Sequence, residues 1–356
     1  CLFIFLLFLF DIKQTATKPF TKLIIKNKPV ATVIPIISSI FASYPTIFIK
    51  VAIPVIKNII NNNNDDLGTG GEKDEYNKII VSHNIESSLG DLGLDIDRIF
   101  IAANNRGLKF ADGIFETILI KENKPILFDE HLKRLEKSSK ILNINLKINK
   151  LTLRQLIHDG IKKLSLKNDQ FASVRINYSR GTNEGRTLTI DSTSETKDLD
   201  NIWLEFYRIK PNFNPISVCI SQTEKINEFS LISKCKTFSY NQAIQVLTEA
   251  NEKSFDDSIL LNTSGELCCG STFNLLIKRN NQWITPRKES GCLEGIMVSK
   301  ALKLKIVKEE LIPPEFQNDD IIVAINSLSC RQINQVNGLK LKPKFDPIYF
   351  WDLLYS

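Results

Sequence analysis

The chain has 356 residues, 43% of them hydrophobic, and sets 46 basic against 40 acidic side chains for a net charge of +6. That is enough to bury a large core, in about two domains. So small a charge surplus, with no arginine-rich stripe among aromatics, sets nucleic-acid binding aside. The seven cysteines, at 1, 219, 235, 268, 269, 292 and 330, are odd in number and lack the spacing of a disulfide framework or a C-x-x-C metal pair. No metal is expected, and a reducing compartment such as the cytoplasm fits better than secretion.

Residues 1–96 read as an irregular extension. Residues 2–10 are an unbroken apolar run, and residues 30–49 carry no charge over a length that just spans a bilayer. Pro35 and Pro45 interrupt the second stretch, and Ser, Thr and Tyr dilute it. A disordered or artefactual leader is therefore expected ahead of an organelle-targeting segment or a membrane anchor. Met297 is the only methionine, so residue 1 is not read as an initiator. Residues 61–71 (NNNNDDLGTGG) form a polar, glycine-bearing linker and the domain boundary.

Beyond the linker the pattern is that of an α/β protein. Residues 98–102 predict a strand. Leu132, Leu135 and Leu142 fall at helical spacing over 130–142, and Leu153, Leu156, Ile157, Ile161 and Leu164 predict a second helix. Residues 171–178 and 202–207 alternate like half-buried strands. Residues 210–215, with two prolines, read as an interdomain connection. Then Ala243, Leu247 and Ala250 make a helical stripe, and 258–262, 273–278 and 321–325 predict strands. No internal repeat is present.

Three segments carry candidate chemistry. In Lys236-Thr-Phe-Ser-Tyr-Asn-Gln242, Ser239 and Gln242 have the spacing of a capping box opening the helix with the Ala243 stripe. Lys236 would then sit before a positive helix end, which favours the neutral amine that an aldehyde needs. A solvated lysine is the plainer reading, and Lys234 competes on composition alone. In Phe128-Asp-Glu-His131-Leu-Lys-Arg134-Leu135, His131 and Arg134 share one helix face. Arg134 is there either as a phosphate ligand or as an exposed arginine. In Leu293-Glu-Gly295-Ile-Met297, a glycine precedes an apolar helical pattern, giving either backbone N–H groups for a phosphate or a plain turn.

Together these segments resemble the class IV pyridoxal-phosphate enzymes, a family that includes branched-chain and D-amino acid aminotransferases and 4-amino-4-deoxychorismate lyases. The resembling stretches are Asn105-Arg-Gly-Leu-Lys-Phe-Ala-Asp-Gly-Ile-Phe-Glu-Thr117, His131-Leu-Lys-Arg-Leu135, Lys236 to Gln242, Asp256-Asp-Ser-Ile-Leu-Leu-Asn262 and Gly265 to Asn274. Thr285-Pro286, Gly295-Ile-Met297 and Asn326-Ser-Leu328 complete them, covering nearly all of 97–356. No one motif is diagnostic; eight in order are.

The resemblance implies pyridoxal 5'-phosphate as cofactor, with Lys236 as the lysine bonded to its aldehyde and as general base. It implies that Arg134 holds the phosphate, helped by backbone N–H groups of Ile296 and Met297, and that Ser271, Thr272 and Asn274 surround the cofactor. Family members usually carry a glutamate for the pyridine nitrogen five residues before the asparagine, where this chain has Cys269. Glu266 is no substitute if the segment is a strand, because 266 and 269 would face opposite sides. A thiol, with a free pKa of about 8.5, is a poorer counter-ion.

Asn326-Ser-Leu328 and the missing Gly-Gly-Asn-Tyr after the lysine resemble the lyase rather than the branched-chain enzymes. The implied reaction turns 4-amino-4-deoxychorismate into p-aminobenzoate and pyruvate, toward folate. Aminotransfer on D-amino or branched-chain amino acids is the alternative, and a non-catalytic homologue the second. Arg175, Arg180 and Arg186 are candidates for a substrate carboxylate, Arg180 favoured. The implied fold is the two-domain D-amino acid aminotransferase-like α/β type, with a small domain at 97–208, a cofactor domain at 215–356 and a homodimeric assembly.

Overall fold

Two large β-sheets, each backed by helices, and one two-stranded sheet appear in the computed structural model of the chain, which describes residues 101–167, 170–182, 187–189, 202–341 and 345–355, with the backbone of short strands at 24–25, 28–29 and 78–82. The chain divides into two compact units, Cys1–Asp74 and Glu75–Ser356. In the first, β1 (Ile24–Ile25) pairs antiparallel with β2 (Lys28–Pro29). The apolar stretches at 2–10 and 30–49 and the linker at 61–71 lie outside the described residues. Among the described residues no helix is long and apolar enough to cross a membrane.

The second unit begins with β3 (Lys78–Ser82), α1 (Arg106–Phe110), β4 (Gly113–Lys121), β5 (Lys124–Pro125), α2 (Phe128–Ile141), α3 (Lys150–Leu164), β6 (Phe171–Ser179) and β7 (Ile202–Ile209). Its strands form an antiparallel sheet in the order β3-β7-β6-β4-β5. Strand β3 lies inside the stretch read as an irregular extension to residue 96. Ile79, Ile80 and Val81, three β-branched residues in a row, were the signal for it. Of the strand expected at 98–102, residues 98–100 lie outside the described residues, and Ile101 and Ala102 belong to no strand.

Helices α2 and α3 form where the leucine spacing places them. Leu132 and Leu135, with Leu153, Ile157, Ile161 and Leu164, pack on Ile114, Ile118, Val174, Ile176, Leu204 and Phe206. Each such side chain contributes about 1.5–3 kcal/mol by leaving water. Strict alternation sends the remaining residues of the same strands to the other face. Pairings Phe115↔Asn177, Thr117↔Arg175, Arg175↔Glu205 and Asn177↔Trp203 line up a polar and aromatic surface there.

The chain continues with β8 (Ile216–Ile220), α4 (Asn241–Glu252), β9 (Asp257–Leu261), β10 (Leu267–Gly270), β11 (Asn274–Arg279), β12 (Gln282–Pro286), α5 (Ile296–Lys303), β13 (Val307–Glu310), β14 (Ile321–Ile325), β15 (Cys330–Val336), β16 (Leu339–Lys340) and α6 (Pro347–Leu353). The strand order is β10-β9-β8-β15-β14-β11-β12-β13, and β10 also pairs with β11, so strands 8, 9, 10, 11, 14 and 15 close into a ring. The closing pair is Cys269↔Asn274. Leu275 and Ile277 enter one core with Ile216, Ile259, Ile322 and Ile333. Leu276, between them, turns to the opposite side, toward Met297 and Ala301 of α5 and Trp351 of α6, and Leu119 of β4 joins that cluster. The two sheets thus share a core.

The stripe expected on α4 is shifted. Val246, Glu249 and Ala250 are its buried residues, not Ala243 and Leu247. The cause is Glu249, whose carboxylate accepts hydrogen bonds from Ser221 Oγ, Gln222 N, Thr223 Oγ1 and Lys253 Nζ. A carboxylate with that many donors is satisfied inside the fold and turns the helix accordingly.

Candidate active site

Lys236 is placed by strand pairing rather than by a helix end. Residues 236–238 run extended against the start of β4: Phe115 N–H donates to the Lys236 carbonyl and Phe238 N–H to the Gly113 carbonyl, both at 3.0 Å. The close approach needs a glycine, since a Cβ on Gly113 would lie 2.3 Å from the Phe238 ring. The capping box expected from Ser239 and Gln242 does not form. Tyr240 is the N-cap of α4 and makes no side-chain cap bond. Gln242 Nε2 donates instead to Glu224 and the Lys225 carbonyl, at 2.9 and 3.0 Å.

The Lys236 side chain is only partly buried by exposed area, yet protein surrounds it on nearly every side. Its Nζ donates to the Tyr240 hydroxyl at 3.0 Å and lies 4.4 Å from the centre of the Phe115 ring. Burial, and then the charge of Arg134, lower its pKa to about 8, against a smaller opposing pull from Glu116. Burial pushes the Tyr240 phenol up, so it stays protonated. Among the described residues Lys236 forms no salt bridge.

The neighbouring cluster is the reverse case. Glu116 of β4 is fully enclosed and accepts hydrogen bonds from Arg134 Nε and Nη2, each at 2.7 Å, with His131 Nδ1 at the same distance. Burial alone would raise this carboxyl, but the charge and hydrogen bond of Arg134, followed by those of His131, hold it at about 2. Burial, the largest influence on His131, lowers its pKa despite Glu116. A neutral His131 gives Nδ1–H to Glu116, leaving Nε2 to accept from Ser327 Oγ at 3.4 Å. Arg134 Nη1 donates to the Glu294 carbonyl at 3.0 Å. Two of its five N–H groups remain.

A cavity of about 410 Å³ opens beside Lys236, with Tyr240, Cys269, Ser271, Thr272 and Asn274 on its wall. Arg134, Ile296 and Met297 are not on that wall; Leu293, which is, and Glu294 connect them to it. Asn274 is committed to the scaffold, since its Nδ2 donates to the Leu293 carbonyl at 2.9 Å. A Cβ on Gly295 would lie 1.9 Å from Asn274 Oδ1. Ser271 Oγ donates to Asp257 at 2.9 Å, and the Thr272 carbonyl accepts from Asn326 at 3.2 Å. Glu266 points elsewhere, bonded to Asn262, Arg287 and Ser290. No Asp or Glu stands on the cavity wall.

These residues fit a phosphorylated aldehyde. Helix α5 has Gly295 as its N-cap and no side-chain cap bond, so the N–H groups of Ile296 and Met297 have no side-chain acceptor, and Arg134 reaches the Glu294 carbonyl just before them. Lys236 offers an amine of lowered basicity. Cys269 stands on the cavity wall, where no carboxylate does.

A second cavity, about 470 Å³, is lined by Asn105, Arg175, Asn177, Trp203, Tyr207 and Phe238, among others. Arg175 Nε donates to Asn177 at 2.7 Å, and its guanidinium sits 3.5 Å from the centre of the same Phe115 ring that touches Lys236. Arg180, favoured on sequence, is committed elsewhere: to Asp112 at 2.8 Å and to the Asn143 and Leu142 carbonyls at 2.6 and 2.8 Å. Arg186 lies outside the described residues. Tyr240 and Phe115 were missed; the signal was an aromatic four residues after the lysine and strand alternation through Phe115.

A profile of the family Amino-transferase class IV matches residues 113–336. Aminodeoxychorismate lyase of Bacillus subtilis (strain 168) is 24% identical over 197 residues, 54% of this chain and 64% of that protein, so the chain spans less than two thirds of that relative. Among solved structures, a candidate 4-amino-4-deoxychorismate lyase of Legionella pneumophila aligns with a TM-score of 0.62 at 22% identity, covering 73% of this chain and 96% of its own. The branched-chain amino acid aminotransferase of Escherichia coli aligns with a TM-score of 0.61 at 18% identity, covering 72% and 86%. Those two likenesses concern the fold alone. With the profile spanning most of the chain, from the start of β4 to the end of β15, the chain belongs to the class IV aminotransferases, a family dependent on pyridoxal phosphate.

Proposed function

We propose that the chain is a lyase converting 4-amino-4-deoxychorismate to p-aminobenzoate and pyruvate, acting as a cytoplasmic homodimer in folate synthesis. The observation that carries the reading is the Lys236 amine at about 8, on the wall of one cavity and in contact with the ring that Arg175 of the other cavity also touches.

When bound, pyridoxal phosphate supplies an aldehyde that captures amines and a ring that draws electrons from the carbon bearing them. The remaining work belongs to the protein. Arg134 and the N–H groups of Ile296 and Met297 bind the phosphate. Lys236 would bond the aldehyde and, as a free amine, would accept the proton that the substrate gives up. Tyr240 fixes the direction of Nζ. Arg175 holds a carboxylate of the substrate through N–H groups that Asn177 does not use.

Cys269 would be tolerated more readily by a lyase than by an aminotransferase: a thiol is a poorer counter-ion for a ring nitrogen than a carboxylate, and formation of an aromatic product lessens the demand on the ring as an electron sink. The alternative, aminotransfer on D-amino or branched-chain amino acids, keeps the same roles for Lys236 and Arg134. A non-catalytic homologue would leave the Lys236 amine without use.

The test is a product assay on the full-length protein supplied with pyridoxal phosphate, fed 4-amino-4-deoxychorismate or amino acid and keto acid pairs. Pyruvate and p-aminobenzoate should appear together and vanish in Lys236→Ala. Amino-group exchange without pyruvate would move the chain to the aminotransferases, and neither product would leave the non-catalytic reading.

A further inference from the structure

The face of β6 and β7 turned away from the leucine core carries Arg175 and Asn177 on one strand and Trp203, Glu205 and Tyr207 on the next, all on the wall of the second cavity. Arg175 and Glu205 stand directly opposite each other in the register. Side chains so placed have their Cβ atoms about 5 Å apart, and an opposite-charge pair there would ordinarily close. This one stays open. Arg175 Nε donates to Asn177 Oδ1 at 2.7 Å, and the guanidinium lies against the Phe115 ring. Among the described residues Arg175 forms no salt bridge, and it is the only cation of that wall.

Glu205 is instead engaged on both oxygens by neutral donors. Oε1 accepts from Asn177 Nδ2 at 3.0 Å and from Trp203 Nε1 at 3.2 Å, and Oε2 accepts from the Tyr207 hydroxyl. A carboxylate offers about four acceptor sites, so most of its capacity is taken. Burial, and then the hydrogen bond to Glu205, push the Tyr207 phenol up to about 12, so it stays a donor. Asn177 joins the two halves. Its amide nitrogen faces Glu205 and its amide oxygen faces Arg175, so each neighbour fixes the orientation the other needs.

We infer that Trp203 and Tyr207 are positioning residues for Arg175: by holding the Glu205 carboxylate they keep it off the guanidinium, which is left to take the carboxylate of a ring-bearing ligand. The ring of such a ligand has Trp203 and Phe238 to pack on, two aromatic side chains of the same wall with their centroids 5.7 Å apart. Without the phenol, Oε2 is freed opposite Arg175, and an internal ion pair would neutralise the cation the ligand needs. The inference rests on Arg175 as the carboxylate ligand proposed above, not on the reaction that follows.

The test titrates benzoate into the full-length chain loaded with pyridoxal phosphate and follows binding by calorimetry. Benzoate should bind the unsubstituted chain and lose most of its affinity in Arg175→Leu. Tyr207→Phe, which removes only the hydroxyl, should weaken binding about three- to tenfold. Glu205→Gln should not weaken it, and in that background Tyr207→Phe should have no further effect. Trp203→Phe, which frees Oε1 by the same logic, repeats the cycle independently of whether Tyr207→Phe folds. Benzamide, of similar shape but uncharged, should not distinguish the Tyr207 and Glu205 variants. No loss in either aromatic variant, an equal loss in both backgrounds, or a parallel loss for benzamide would overturn the inference. Benzoate that fails to bind, or that ignores Arg175→Leu, would remove Arg175 as the carboxylate ligand and the inference with it. If product formation fails while the benzoate cycle holds, the lyase reading falls and the role of Trp203 and Tyr207 stands.

Discussion

Arg134 and Lys236 are cations within electrostatic reach of each other, and the fold treats them in opposite ways. Arg134 has a dedicated carboxylate, Glu116, with two hydrogen bonds at 2.7 Å and a buried histidine completing the set. Lys236 has a phenol and an aromatic ring. The first arrangement fixes a permanent charge at the place proposed to hold a phosphate. The second leaves a proton weakly held, so that one side chain can alternate between base and nucleophile. One carboxylate serves both ends, neutralising Arg134 while raising the Lys236 pKa slightly against burial.

The contrast can be broken from several sides. Lys236→Ala removes the poised amine, and turnover of the amino substrate should fall roughly 10²–10⁴-fold in the product assay. Glu116→Gln leaves Arg134 and His131 buried without their anion, and should cost about 3–5 kcal/mol in urea unfolding. A loss near zero would mean that the cluster is not a unit. The same carboxyl predicts an acid limit. Its folded pKa of about 2 lies below the ordinary carboxylate value, so its stabilisation is complete above about pH 4.5 and fades as pH falls through about 2.

Smaller effects sharpen the picture. Arg175→Leu should weaken apparent substrate affinity by about 1.5–3 kcal/mol with little change in stability. Arg180→Leu, which strips Asp112 of a partner, should do the opposite in thermal unfolding. Capture of pyridoxal phosphate, followed by absorbance, should slow about tenfold per pH unit below pH 8 and level off above it, since only neutral Lys236 reacts. For the fold the sign is the same: burying the charged amine weighs on stability below about pH 8, and the cost lifts as pH rises toward the unfolded lysine value. Cys269→Glu is the mildest change, shifting aminotransfer by about a few-fold and elimination less. Equal effects on both would remove the reason for favouring a lyase.

Much of the scaffold was legible in the sequence because it rests on local periodicity. The leucines of α2 and α3 announce their helices, and the alternation over 171–178 and 202–207 announces β6 and β7. The residue types in the candidate site were likewise visible in motif order. What lay hidden depends on contacts far apart in sequence. Glu116 looks like any strand glutamate until α2 brings His131 and Arg134 against it. Lys236 seemed to belong to a helix start, yet its position comes from hydrogen bonds to β4, more than a hundred residues earlier. Arg175 stands in the middle of β6 and Arg180 just past its end, and only the folded contacts reveal which of them lines a cavity.

The pairing of Cys269 with Asn274 closes the ring of strands through backbone contacts alone, while Asn274's own side chain anchors the turn before α5. The side chain at 269 is therefore a guest on a frame that other atoms hold. Reagents can be exchanged at that position, thiol for carboxylate or carboxylate for thiol, without redrawing the frame. A lineage that changed its chemistry at residue 269 would need no new fold to do it, only a different occupant of one seat.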